Sequence, residues 1–274
     1  MYYRHNLDYE YPERSDEHML YVPRLKKKVF DVNFPYMPEG FGYKCVRVFY
    51  WIMLNVIVFP LILLTHGLRI YGRENLKKHK DILKNGAVTV ANHVFMWDHI
   101  CVMKAIRPHI TYFPAWKQNL EGPNRVLIRM SGGIPVPTGD LHAMGKFNKA
   151  IENVLESGKW LHFFPEGSLW FFYPDIRPLK KAVFKYAARY NKPVIPITMS
   201  FRPRKGITKL FTKKPCVDLH IGEPLIPDTT LSVNERADVL HRDAYHIMQV
   251  MNGITPDSPT YNTDQNIDNY KKTM

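Results

Sequence analysis

The stretch "ANHVFMWDHI", Ala91 to Ile100, sets His93 five positions ahead of Asp98, directly behind the apolar run "AVTV". An imidazole held at one nitrogen by a carboxylate can take a proton from a hydroxyl through the other, because the carboxylate fixes the tautomer and stabilises the imidazolium. Spacing limits how the two can meet. Along one continuous helix, five residues turn two side chains about 140° apart, so His93 must lie in the turn before a helix, with Asp98 projecting back from its first turns. Asn92 reads as the cap of that helix, which would begin around Val94. About seventy residues on, "HFFPEGS", His162 to Ser168, runs an apolar strand into a turn with Glu166 at its apex and Gly167 behind it. A glycine there lets substrate approach the backbone. Two other chemistries compete for these groups. Asp98, His93, His99 and Glu166 are metal-ligating types, but nothing else has ligand spacing. Cys101 reads as a buried apolar thiol rather than a nucleophile, and no G-x-S-x-G elbow supports Ser168 in that role.

The elements needed to position these residues alternate as in an α/β domain. Strands are expected at 87–91, 109–113, 133–137, 160–164, 194–200 and 216–222. In "KFNKAIENVLES", Phe147, Ala150, Ile151, Val154 and Leu155 recur at helical spacing and form one buried stripe. "LKKAVFKYAARY" (179–190) is a second helix. A third opens with Ser232 and Glu235 in capping-box spacing and carries Leu240, Ala244, Ile247, Met248 and Met251 on one face. Residues 1–42 read as an irregular polar arm, 71–251 as the folded domain and 252–274 as a flexible tail. Between arm and domain, the segment 43–70 contains Val48 to Leu64, uncharged and interrupted only by Asn55 and Pro60. It falls slightly short of the ~20 residues of a spanning helix, and its aromatic start, Phe49 to Trp51, suits a membrane interface. A buried core helix is the competing reading.

The formal charge of +13 calls for an anionic partner. A nucleic-acid module would explain the charge but neither the apolar segment nor the two motifs, so a membrane surface is expected and nucleic acid is not. Three well-separated cysteines, Cys45, Cys101 and Cys216, support neither a disulfide framework nor a zinc ribbon. The sequence carries no signal for oligomeric state.

Taken together, Asn92, His93 and Asp98, then Phe164, Pro165, Glu166, Gly167 and Ser168, make the chain resemble the glycerolipid acyltransferase family, whose best-known members acylate lysophosphatidic acid. Pro196 in "VIPITMS" matches the family's fourth block, Lys117 in "FPAWKQNL" a lysine after its second strand, and "PLKKAVFKYA" a helix start after its third block. The resemblance covers roughly residues 68–226. It implies a mixed α/β sheet flanked by helices, with an apolar membrane-associating helix in front. It also implies His93 and Asp98 as the catalytic pair, working without a covalent enzyme intermediate. Asn92, Lys117, Glu166, Gly167 and Ser168 would contact substrate, with Glu166, Gly167 and the basic residues positioning the acceptor. No cofactor or metal is expected; acyl-CoA or acyl-carrier protein is the donor, and a membrane lipid, 1-acylglycerol-3-phosphate, the acceptor. The active site would face the cytoplasm. Two departures concern the acceptor. Thr138 and Leu169 stand where the family has phosphate-holding arginines. Arg177, Lys180 and Lys181, or Lys117, Arg125 and Arg129, are the candidate replacements, unless they form an ordinary solvated basic face. A different lysolipid acceptor, or a non-catalytic lipid-binding protein of the same fold, is the alternative.

Overall fold

The structure, a computed structural model, describes residues 7–15, 17–38 and 40–253. In chain order the elements are α1 (Phe41–Met53), a wide π turn (Leu54–Val58), α2 (Phe59–Thr65), β1 (Arg69–Tyr71), α3 (Arg73–Lys78), α4 (Lys80–Leu83), β2 (Val88–Ala91) and α5 (Asp98–Ala105). They continue with β3 (Thr111–Ala115), α6 (Lys117–Glu121), α7 (Arg125–Met130), β4 (Gly133–Pro135), α8 (Leu141–Glu156), β5 (Trp160–Phe163), α9 (Ala182–Arg189), β6 (Val194–Arg202), β7 (Cys216–Ile221) and α10 (Val233–Met251).

The strands form one mixed sheet in the order β1-β7-β6-β2-β5-β3-β4, with β7 antiparallel to β6 and every other pairing parallel. Alternation along the central strands divides the core. Val88, Val90, Leu161 and Phe163 face α8, α9 and α10, while Ala87, Ala91, Ile195 and Ile197 face α5 and the end of α2. A parallel sheet covered on both faces has only its strand ends open. Because β2, β3, β5 and β6 run the same way, the residues that follow them converge on one edge, where an α/β sheet builds its sites.

The expected stripe of α8 is buried at every position, and Asp140 caps the helix by accepting from His142 N and Ala143 N. Ser232 and Glu235 form the expected capping box on α10. Three of the boundaries that differ have a local cause. The helix expected from Val94 begins at Asp98, since Asn92 is engaged elsewhere and residues 94–97 make a turn in which Val94 O accepts Phe172 N at 2.7 Å. Strand β3 begins at Thr111, because His109 N closes a turn on Ile106 O. Helix α9 begins at Ala182, because Lys180 N is drawn back to Pro165 O at 2.8 Å. The tail expected from residue 252 lies, beyond Gly253, outside the described residues.

The N-terminal apolar segment is helical from Phe41 to Thr65, long and apolar enough to cross a membrane. Pro60 has no N–H to donate and its ring crowds the preceding turn, so the helix widens just before it. Asn55 bonds Trp51 O at 2.6 Å and thereby satisfies its own amide. Tyr50, Leu54, Phe59 and Ile62 pack on the domain, but only 22% of the apolar window is buried. The core-helix reading therefore fails, and the segment is an apolar helix with a bare face. The arm before it has neither helix nor strand among its described residues, 7–15 and 17–38, and it is docked rather than solvated. Phe30 and Tyr36 are buried, and Glu121 O accepts Leu25 N and Lys26 N at 3.0 and 3.1 Å.

Gly72 turns the chain from β1 into α3 at φ +80°, and a Cβ there would lie 2.0 Å from Ile221 O. Gly145 sits exposed on α8 with nothing within 4 Å of a Cβ. Gly72→Ala should therefore cost about 2–4 kcal/mol, whereas Gly145→Ala should gain about 0.5–1 kcal/mol. Thermal unfolding of both variants checks this pair of opposite signs.

Candidate active site

Strand β2 delivers Asn92 and His93 to the open edge. Asn92 is buried, and its amide bridges to β6: Nδ2 donates to Met199 O at 2.9 Å, and Oδ1 accepts Met199 N at 2.7 Å. It ties the strand ends together and does not cap a helix. His93 then turns out of the sheet, and its Nδ1 lies 2.5 Å from Asp98 Oδ2. Asp98 is buried at the first position of α5, where the helix dipole favours its negative charge and His99 N donates to its other oxygen at 2.7 Å. The pair meets because His93 precedes the helix, as the rotation argument requires. The imidazole lies flat on Phe164, with ring centroids 4.1 Å apart and 13° between planes. Its side chain is 24% exposed, so the ring touches solvent while its carboxylate partner does not.

Two more histidines lie beneath it. His162 stands opposite Thr89 in the β2–β5 register, and its Nδ1 is 2.8 Å from Thr89 Oγ1. His99 packs on Phe113 at a tilt of 41° and lies 5.7 Å from His162 between centroids. Burial depresses His99 to a pKa of about 3, and the charge of a nearby His93 pushes in the same direction. Burial, with His99 and His93 beside it, also holds His162 well below the ordinary histidine value. Both rings are neutral at physiological pH. Burial likewise pushes the Cys101 thiol up, away from thiolate formation. The single histidine inside the apolar run "WLHFF" was a sequence signal that pattern reading passed over.

The third block is a buried knot. Glu166 Oε2 accepts His93 N at 2.9 Å and Arg177 Nη2 at 2.8 Å, and Oε1 accepts Arg177 N at 2.9 Å. Arg177 Nη1 donates to Ser168 Oγ at 2.8 Å and Ser15 O at 2.6 Å, and the guanidinium covers Trp170 at 4.4 Å. Glu166, Ser168 and Arg177 are all buried. Arg177 was expected to grip an acceptor phosphate; instead its donors hold the turn that carries the pair. Lys181, just before α9, ion-pairs with Asp238 on α10. Arg129 bonds Gly133 O and Pro35 O, and burial lowers it to about 10. Of the expected cations, Lys180 lies over Gly167, whose Cβ would fall 2.9 Å from Lys180 Nζ, and Lys117 opens α6 on the same sheet edge. Gly167 has φ +86°, which a side chain would strain. The docked arm borders this edge. Ser15 O accepts Ser168 Oγ at 3.3 Å, Glu17 O accepts Trp170 Nε1 at 2.8 Å, and His18 stacks on Trp116 at 4.1 Å. Among the described residues, no group of three or more His, Cys, Asp or Glu is arranged to hold a metal ion.

Comparison with known proteins brings two findings. Residues 67–200, which contain β2, the His93–Asp98 pair and the Glu166 knot, match the family model named Acyltransferase. The chain is also similar in structure to a solved protein described as the 1-acyl-sn-glycerophosphate (LPA) acyltransferase PlsC from Thermotoga maritima. The TM-score is 0.53 and the identity 21%, over 80% of this chain and 86% of that one. No curated relative matches by sequence. With the acyltransferase match centred on the strand ends and a PlsC-like fold around it, residues 67–200 form an acyltransferase domain and the chain is an O-acyltransferase.

Proposed function

We propose that the protein is a membrane-associated enzyme that moves a fatty acyl group from acyl-CoA or acyl-carrier protein to the free hydroxyl of 1-acylglycerol-3-phosphate, making phosphatidic acid. The observation that carries this reading is the 2.5 Å contact between His93 Nδ1 and Asp98 Oδ2 at the end of β2. With Nδ1 engaged, Nε2 is the nitrogen that accepts the hydroxyl proton as that oxygen attacks the thioester carbonyl. The C–O bond forms, the tetrahedral intermediate collapses, the C–S bond breaks, and the imidazolium returns its proton to the departing thiolate. Asp98 balances the transient charge, and the neutral His99 and His162 add none beside it. Such a pair contributes by general-base catalysis and leaves no acyl group on the protein.

The acceptor side is built from Gly167 with Lys180 above it and from Lys117, in place of the expected Arg177. Leu169, buried where an arginine is expected from the resemblance, favours a second reading in which a different lysolipid is the acceptor. The bare face of α1 and α2 would bring the domain to the membrane holding that lipid, with the site on the cytoplasmic side.

Removing the base should abolish the reaction without unfolding the chain. His93→Ala should lower kcat by about three orders of magnitude or more, and Asp98→Asn by about the same, because the amide cannot hold the productive tautomer. Release of CoA from acyl-CoA in the presence of lysophosphatidic acid measures both; near-normal turnover by folded His93→Ala would refute the mechanism. The knot makes a different prediction. Arg177→Met leaves the buried Glu166 carboxylate without its ionic partner, which should cost about 3–5 kcal/mol of stability. A phosphate-gripping arginine would instead raise the acceptor KM with the melting temperature unchanged. Calorimetry together with kcat/KM for the acceptor distinguishes them.

A further inference from the structure

Between β6 and β7 the chain makes a projecting loop, "PRKGITKLFTKKP", residues 203–215, that the acyltransferase chemistry does not use. Its tip is a short 3-10 turn, Gly206–Leu210. Ile207, Leu210 and Phe211 are 72%, 82% and 50% exposed, while Lys205, Lys209, Lys213 and Lys214 surround them and no acidic residue interrupts the run. The loop is built, not slack. Arg204 is buried at its base, donating from Nε to Lys214 O and from Nη1 to Thr208 O at 2.9 Å, and Thr208 Oγ1 donates to Lys205 O at 2.7 Å. A fixed frame thus holds three large apolar side chains in water, an arrangement that marks a contact surface.

Position narrows the partner. Strand β6 ends on the same sheet edge as β2, so the loop leaves the domain on the side of His93. Its base is joined to the end of α2: His66 O accepts Val217 N at 3.2 Å, and Gly67 O accepts Arg202 Nη2. On α2 itself Leu61 and Leu64 are exposed. The loop's base therefore adjoins the end of the N-terminal apolar helix. Nucleic acid or an acidic protein would satisfy the lysines but leave the apolar tip unanswered; an anionic bilayer satisfies both, with phosphates at the surface and acyl chains below.

We propose that this loop is a second membrane contact, in which Ile207, Leu210 and Phe211 enter the boundary between headgroups and acyl chains of an anionic bilayer and the four lysines pair with its phosphates. Two contacts on one side, helix and loop, would fix the rotation of the domain on the membrane and hold the His93 edge at the depth of a lipid hydroxyl. The proposal rests on the membrane-associated reading above and not on the catalytic one.

The test uses the full chain with the exposed Cys45 changed to Ser and an environment-sensitive fluorophore (NBD) attached at Leu210→Cys; Ile207→Cys serves as a second site and Lys149→Cys on α8 as the control. The probe is vesicles of phosphatidylcholine containing phosphatidylglycerol. The protein should sediment with the vesicles, and the label at 210 or 207 should shift to the blue, brighten severalfold and be quenched by lipids carrying an acyl-chain spin label, while the label at 149 stays water-like. Changing Lys205, Lys209, Lys213 and Lys214 to Gln should lower the brightening at a given vesicle concentration. Vesicle-bound protein whose loop label stays water-like would overturn the proposal. Failure to sediment would overturn both the proposal and the membrane reading. Absent acyl transfer with a buried loop label would count only against the catalytic reading.

Discussion

The site depends on one buried carboxylate. Glu166 accepts hydrogen bonds from His93 N, Arg177 N and Arg177 Nη2, so two residues 84 positions apart are held by two oxygens. An ion pair taken out of water repays its desolvation only when the remaining donors and acceptors are also satisfied. Here Ser168, Ser15 O and the face of Trp170 complete most of the shell around Arg177. The consequence reaches the His93 ring. With His93 N fixed by Glu166, and His93 O accepting Trp170 N at 3.0 Å, the backbone of His93 is held on both sides. Its side chain lies between Phe164 and Asp98. The third sequence block thus holds the first in place.

That arrangement also decides where a proton can go. His93, His99 and His162 form one cluster, yet burial keeps the lower two neutral, and only His93 combines solvent contact with a carboxylate partner. The same sheet edge holds the Gly167 turn and Lys180, and it is bordered by the docked arm and by the apolar helix. A reaction between a thioester and a lipid hydroxyl needs these neighbours: a base, an approach to the backbone, and a surface that meets the membrane.

Local features were legible in the sequence. The His93–Asp98 relation followed from helix rotation, the α8 stripe from periodicity and the Ser232–Glu235 box from cap spacing, because each depends on residues a few positions apart. Features set by the tertiary fold were not. Asn92 has the composition of a cap, but its partner Met199 lies on another strand. Arg177 has the charge of a phosphate ligand, but its burial follows from a carboxylate eleven residues away and an arm more than 160 residues earlier. The arm reads as polar and irregular because its contacts, made by Tyr9, Tyr11, Phe30 and Tyr36, follow no repeat. The short strand β1 and the short helices α3, α4, α6 and α7 carry too few residues to show a period.

The central claim is that the acyl group passes directly from thioester to hydroxyl, with His93 carrying only a proton. The most direct measurement is a single-turnover experiment with radiolabelled acyl-CoA and no acceptor. Direct transfer predicts no burst of free CoA and no label on the protein, followed by equal amounts of CoA and labelled phosphatidic acid once 1-acylglycerol-3-phosphate is added. A burst of CoA matching the enzyme concentration, with the label retained on the denatured chain, would contradict it.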